Sequence, residues 1–347
     1  MLSQTEEEEE ITTTEEEYRV CEKERERERE REIARMIVVL SPAKTLSSAP
    51  PPAHLARIFS RQQQQPRLIA KAHNLTSMVS KMSRAKLKGL LNVSDALADL
   101  NYERYRSFMD QPASPSIMAF DGQAFKGLDA RSLKAEDMVE CESCLRVLSG
   151  VYGLLRPFDC VRPYRLEMGT KMHALFADKS LVGEKEGVAH MKTLYDYWET
   201  DVAKLLNDDL DTVARDGDDV GGERIIVNCA SAEYWKVVDI NELSKSGTKV
   251  VTINFRGATV HVKEARGAMA RYIIQHKPNL PSELQAFSGT NGEWTYVGGE
   301  SDGSTLVFVR SDAKAKKNAP AAAKKRTSVA PVTAVSTKRK KRASTSS

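Results

Sequence analysis

Charge is sorted along this chain so sharply that only its middle can build a core. Residues 1–35 carry 14 acidic and 7 basic side chains, in runs such as EEEEE and ERERERERE, for a net charge of −7. Residues 313–347 carry 11 lysines and arginines and no acid. The whole chain is +4, so the 277 residues of 36–312 are neutral overall. Both ends hold too few apolar side chains to offset the entropy of ordering them. The sequence therefore divides into a disordered or solvated Arg/Glu-rich extension (1–35), a globular domain (36–312) and a disordered basic tail (313–347). The extension can form a lone helix through i,i+4 ion pairs, but it has no apolar stripe with which to dock.

Because the basic balance belongs to the tail, it is no argument that the folded part binds nucleic acid. KKR (324–326) and KRKKR (338–342) match nuclear-import and nucleic-acid patches, and equally match a plain solvated tail. Five cysteines (Cys21, Cys141, Cys144, Cys160, Cys229) form a sparse, odd set that fits a reducing compartment. Cys141 and Cys144 make a CxxC without a second pair or a nearby histidine, so helix packing explains them better than zinc. No apolar run reaches the ~20 residues of a membrane span, and no leader is evident. The expectation is a soluble cytoplasmic protein without cofactor or metal, nuclear import through Lys338–Arg342 being the open alternative.

MIVVL (36–40) ends in SPAKT, the pattern of a buried strand entering a loop. SSAPPPAHL and QQQQ read as loops, and apolar spacings of three and four make Pro66 to about Phe108 helical. IMAF (117–120), RIIVNCA (224–230) and TKVVTINF (248–255) predict buried strands, and EDMVECESCLRVL a helix. Further helices are expected from His190 to about Asn207 and from Val262 to Gln275. EWTYV and STLVFVR predict a hairpin across GGESDG, and residues 208–222 an exposed insert. The elements interleave without a strict βαβ rhythm. That predicts an α+β (mixed α/β) fold, a single globular domain of unusual topology around a central mixed sheet, and not a doubly wound one.

Leu148–Gly169 (LSGVYGLLRPFDCVRPYRLEMG) concentrates Arg156, Arg162 and Arg165 with Asp159, Glu167 and two prolines that each follow an arginine. A residue before proline is pushed to extended geometry, so the stretch reads as a rigid irregular loop. Guanidinium groups displayed on such a loop suit phosphate or carboxylate. The alternative is a proline-stiffened connection whose arginines pair with Asp159 and Glu167.

SPAKT (41–45), AFDGQAFKGL (119–128), the Arg-rich loop, LYDYW (194–198), NCASAEYWKVV (228–238) and ARGAMARYI (265–273) together resemble the YaaA-type peroxide-stress protein family. The resemblance spans nearly all of 36–310. It implies a globular domain of unusual mixed α/β architecture in the cytoplasm, survival of hydrogen peroxide by holding down unincorporated iron, and DNA binding through a helix-hairpin-helix element. It supplies no reaction. Where family members usually read Gly-Asp-Val-Tyr, this chain has Gly122, Gln123, Ala124 and Phe125, and Glu264 replaces a frequent lysine.

LLNVSDALADL (90–100) has the spacing of the helix-hairpin-helix turn, with Asn92 and Ser94 where glycines are expected and Lys86 and Lys88 just upstream. Such a turn grips a phosphate with backbone amides; Ser94 also reads as an ordinary N-cap. Ser41 and Lys44 follow a strand without the glycines of a P-loop. Ser231 stands where a nucleophile could, yet none of the six histidines falls in these motifs, so a Ser-His-Asp hydrolase does not fit. Asn228, Glu233, Tyr234 and Lys236 are cleft-lining candidates. Lys263, Arg266 and Arg271 fall on one edge of their helix, expected to share a cleft with the Arg-rich loop. Asp159, Glu167 and Glu233 are too isolated for ferric iron.

Two readings follow. One is a non-enzymatic peroxide-stress protein that contacts duplex or branched DNA through its phosphates and limits damage from unincorporated iron. The other is an enzyme acting on a small anionic substrate, with Lys44, Glu167 or Tyr164 in the chemistry. The tail's partners would be nucleic acid or the import machinery.

Overall fold

From Met36 to Leu40 every side chain is buried, on both faces of strand β1 (Arg35–Leu40). That is the burial of an interior strand in a parallel sheet. The computed structural model describes residues 35–182, 191–212 and 223–311. The extension before Arg35, His190, residues 213–222 and the basic tail with KRKKR lie outside the described residues.

The sheet's other strands are β2 (Leu145–Ser149), β3 (Gly153–Leu155), β4 (Arg224–Asn228), β5 (Lys249–Arg256), β6 (Trp294–Tyr296) and β7 (Thr305–Arg310). Their spatial order is β6-β7-β5-β4-β1-β2-β3. The five inner strands run parallel, with Val38 opposite Leu145 on one side and Val227 on the other. β6 and β3 close the two edges antiparallel. The sheet is thus mixed, as expected, but its centre is parallel. The chain leaves β1 for β2 on one flank and reaches β4 on the other. Loops leaving the C-terminal ends of β1 and β4 therefore diverge, which is where open α/β sheets form a crevice.

Six helices matter below: α1 (Arg84–Leu91), α2 (Asp95–Arg106), α3 (Gln123–Leu128), α4 (Ala135–Cys144), α5 (Asp201–Thr212) and α6 (Thr259–His276). α3 and α6 meet backbone to backbone. A Cβ on Gly127 would run into the Glu264 carbonyl, and one on Gly267 into the Ala124 carbonyl. Only glycine permits this approach, and it fixes where the N-terminal half of α6 stands over the sheet.

Several expected elements differ. IMAF is buried, but Ser116–Ala119 is a helical turn and only Phe120–Asp121 is extended, pairing with Thr45–Leu46. The loop SSAPPPAHL already begins a helix at Ala53. α4 stops at Cys144, and LRVL turns into β2; Cys141 and Cys144 are both buried. The helix expected from His190 to Asn207 breaks at Glu199, whose φ of 44° separates Leu194–Trp198 from α5. The first part of the Arg-rich loop, Leu148–Leu155, is the β2–β3 hairpin, and irregular chain starts only at Arg156.

Residues 208–212, read as part of an exposed insert, belong to α5, and Asp209 is buried. It accepts two bonds from Arg67 at 2.8 and 2.7 Å and one from Arg146 at 2.5 Å. An amphipathic pattern with acidic residues on it hides this, because the partners come from distant segments.

Candidate functional site

The loops leaving β1 and β4 are tied together across the crevice. Asn228 Oδ1 accepts from the Ala230 amide at 2.9 Å, and the Cys229 amide donates to the Val39 carbonyl at 3.0 Å. Ser41 Oγ accepts from the Ser231 amide at 2.9 Å and donates to Ser231 Oγ at 3.3 Å. Ser41 and Ser231, 190 residues apart in sequence, thus form the clamp of the switch point. Ser231 occupies the N-cap position of the short helix Ala232–Trp235, but its hydroxyl makes no cap bond.

Beside this clamp opens a cleft of about 450 Å³. Its walls are the SPAKT turn, the loop after β4, the first turns of α3, the Lys263–Arg266 edge of α6 and Glu167 from the Arg-rich segment. Ala43 and Gly122 draw the SPAKT turn and the start of α3 close: a Cβ on Gly122 would lie 2.8 Å from that of Ala43. Lys44 Nζ lies 2.7 Å from Glu167 Oε2, and Arg165 holds the other oxygen at 3.2 Å. Glu233 Oε1 accepts from the Gly169 amide at 3.0 Å. Cys229 is buried against Arg266, and burial pushes its thiol up to about 12. Burial likewise pushes the Tyr234 phenol up, helped by Glu233 and Glu167.

Arg266 is the unusual member. Burial lowers its pKa, its Nε is shielded from solvent, and among the described residues the guanidinium has neither a hydrogen bond nor an ion pair. Lys263 and Lys126, on the same cleft, also lack carboxylate partners among the described residues. Three cations therefore line this space without an ion pair of their own among the described residues, with the Asp121 and Glu233 carboxylates on the same lining. Lys126 and Lys263 are exposed, so desolvation falls on Arg266 alone; a desolvated cation without a partner is unfavourable, which favours an anion beside it.

The structure gathers eight of the candidate residues weighed from sequence on this cleft: Ser41, Lys44, Glu167, Ser231, Glu233, Tyr234, Lys263 and Arg266. Asn228 supports it from below through Ala230. Other candidates stand elsewhere. Arg156 is bound to Asp159 through its amide at 2.8 Å and its guanidinium at 3.2 Å. The Arg162 amide donates to the Tyr152 hydroxyl, and the Tyr164 hydroxyl is buried against Ser149 Oγ at 2.6 Å. Arg271 caps the end of α3 by donating to the Leu128 and Asp129 carbonyls. Lys236 lies 4.9 Å over the Tyr195 ring. Of the expected shared cleft, the lining holds the Lys263–Arg266 edge of α6 and, from the Arg-rich loop, Glu167; Arg156, Arg162 and Arg165 are all outside it, Arg165 reaching only the far oxygen of Glu167.

α1 and α2 form a helical hairpin at LLNVSDALADL. Asn92 takes the left-handed conformation at φ 50°, ψ 58°, and Ser94 is extended at the start of α2 without a side-chain cap bond. The cations of α1 are each paired: Lys88 with Asp95 at 2.8 Å, Lys86 with Asp178 at 3.1 Å, Arg84 with Asp99.

Sequence reasoning missed Lys126 and the two helix-contact glycines, and it singled out Ala124 and Phe125 only as departures from the family pattern. The signal was present in AFDGQAFKGL and ARGAMARYI, each of which carries a glycine amid helix formers. Among the described residues no group of three or more His, Cys, Asp or Glu could hold a metal ion, and no helix is long and apolar enough to cross a membrane.

Comparison with known proteins places this geometry in a family. Residues 36–297 match the family model described as peroxide stress protein YaaA. Among similar proteins, UPF0246 proteins of Burkholderia multivorans and Burkholderia ambifaria are each 36% identical over 284 residues, covering 79% of this chain and 98% of the relative. A UPF0246 protein of Burkholderia mallei is 36% identical over 287 residues with the same coverage.

Proposed function

The chain belongs to the family of peroxide stress protein YaaA, and on that premise we propose that it serves in peroxide stress by holding a small anionic molecule in the cleft at the β1–β4 switch point. One observation carries the reading: Arg266, half-buried on the cleft wall, has no partner of its own among the described residues. The cleft's size suits a small ligand, and Lys263 and Lys126 add charge of the same sign. Lys44, Glu167 and Tyr234 line it as well, and what is proposed here is binding.

The test is thermal denaturation of the full chain with inorganic phosphate, against chloride at equal ionic strength. A ligand that binds only the folded state raises the melting temperature with concentration. The rise should vanish in Arg266→Met, which keeps the apolar stem, and survive in part in Arg266→Lys. Equal shifts in all three proteins would sink the reading.

Contact with duplex or branched DNA is the second reading, and the turn at Asn92 supports it. Its left-handed conformation leads the chain into the N-terminus of α2, whose first amides are unpaired within the helix and suit a phosphate. A chain ending at Ser311 is needed, because the basic tail would bind DNA in any case. Affinity should then fall steeply with salt through counterion release; a flat dependence would refute it. Import through Lys338–Arg342 would bring such a protein to nuclear DNA. Under either reading, less damage from unincorporated iron is an indirect consequence.

A further inference from the structure

The cleft carries charge of both signs that its own side chains leave unmatched. Arg266, Lys263 and Lys126 line it without an ion pair among the described residues, and so do the carboxylates of Asp121 and Glu233. The two signs share one lining, yet no cation and carboxylate of this set stand close enough to neutralise each other by contact. A ligand of one sign answers only half of this. Its oxygens would satisfy Arg266 while the carboxylates opposed its approach.

Glu233 is the carboxylate held in place. Its Oε1 accepts from the Gly169 amide at 3.0 Å, and its carbonyl accepts from the Tyr195 hydroxyl at 2.9 Å. Its Oε2 has no partner among the described residues. Two lysines on this side are committed elsewhere: Lys44 lies 2.7 Å from Glu167, and Lys236 stands 4.9 Å over the Tyr195 ring. The loop that bears Glu233 also carries the contacts an anion would use. Cys229 is buried against Arg266. Two residues on, Ser231 Oγ receives the Ser41 hydroxyl proton, and its own O–H, on the cleft lining, has no acceptor among the described residues. Two residues further stands Glu233, at most roughly 7 Å of chain from Ser231. Cation, hydroxyl donor and carboxylate therefore follow one another along a single short loop.

Resting on the anion reading above, we infer that the cleft binds a small zwitterion, its oxyanion against Arg266 and Ser231 and its protonated amine against Glu233. The spacing along the loop calls for a short spacer between the two charges. The class differs from a simple anion by the ammonium, and that difference is measurable.

Calorimetric titration of the full chain at pH 8 compares ethyl phosphate with aminoethyl phosphate, which differ by the terminal ammonium. Both phosphates are dianions there, above a second pKa of about 6. Aminoethyl phosphate should bind about fivefold more tightly. Glu233→Gln, whose amide oxygen can still accept from Gly169, should erase that margin and leave ethyl phosphate bound no more weakly. Asp121→Asn should keep the margin. If Asp121→Asn erases it and Glu233→Gln does not, the amine is held elsewhere and the inference fails. If both ligands bind equally in the unmodified chain, and Arg266→Met abolishes both, the zwitterion is wrong while the anion site stands. If neither binds, the anion site fails and the inference with it. The comparison within the unmodified chain decides the matter even if Glu233→Gln does not fold.

Discussion

Gly127 in α3 and Gly267 in α6 lie where each helix touches the other's backbone: the Glu264 carbonyl occupies the place of one missing Cβ and the Ala124 carbonyl the place of the other. This contact sets the cleft, because Ala124, Phe125 and Lys126 ride on α3 while Lys263 and Arg266 ride on α6. Gly267→Ala gains up to about 1 kcal/mol of helix propensity but must force two backbones apart. Overpacking usually costs about 1–3 kcal/mol, and rigid backbone on both sides puts this site at or above the top of that range. A lower melting temperature, together with loss of phosphate binding, is the expected result.

Gly89 supplies the contrast. It lies in α1 with nothing within 4 Å of an added Cβ. Gly89→Ala should therefore gain roughly 0.5–1 kcal/mol from propensity and a stiffer unfolded chain. At this size that is a rise of roughly 2–4 °C per kcal/mol. If Gly89→Ala and Gly267→Ala behave alike, helix propensity and not contact governs both.

Glu142 should make stability pH-dependent. It accepts from the Phe158 amide at 2.8 Å and from Gln64 at 3.1 Å, and burial raises its pKa from 4.5 to about 7. The folded state then holds this proton more tightly than the unfolded state. The group's stabilising contribution is full below its unfolded value of 4.5 and is lost as pH rises through about 7. A shift of that size corresponds to about 3 kcal/mol. Burial raises Asp159 as well, in the same direction. Urea titrations between pH 5 and 8 should show stability falling with pH, and Glu142→Gln, which keeps an acceptor for Phe158, should flatten the slope and be the more stable protein at pH 8. An unchanged slope in the variant would assign the dependence elsewhere.

Much of the fold is legible in local pattern. The buried run Met36–Leu40, the strands Arg224–Asn228 and Lys249–Arg256 and the helix Thr259–His276 all follow from apolar spacing. Pattern fails where distant contacts decide. Ile117–Met118 is apolar enough for a strand, yet the Ser116 hydroxyl and amide are taken by the Arg156 and Asp159 carbonyls, and the segment turns helical. Asp209 looks solvated until Arg67 and Arg146 arrive from elsewhere. At the site, the chemistry of Lys44, Ser231 and Arg266 is readable residue by residue. In Leu148–Gly169 the alternative reading holds for two arginines, Arg156 pairing with Asp159 and Arg165 with Glu167, and only Glu167 of that segment lines the cleft.

That same Asp209 yields a stability prediction. Arg146 has its side chain 4% exposed and Arg67 23% exposed, and Asp209 is the carboxylate both reach. Its pKa lies below the usual range despite the raising effect of burial, because bonds to Arg146 and Arg67 outweigh it. Asp209→Ala leaves two guanidinium groups short of their anion, a defect that costs about 3–5 kcal/mol in buried pairs. Denaturant unfolding should register a loss of that order. A loss below about 1 kcal/mol, typical of exposed pairs, would mean that water replaces the carboxylate.

Arg266→Met should move stability the other way. The side chain is desolvated and has no anion among the described residues, so its charge opposes folding. Methionine keeps the stem's packing volume and removes the charge. The variant should melt at or above the parent temperature in phosphate-free buffer, then fall behind as phosphate is added and stabilises only the parent. Such a crossing is what a group retained for binding at the expense of stability produces. If the variant melts well below the parent without ligand, the guanidinium supports the fold and the cleft needs another explanation.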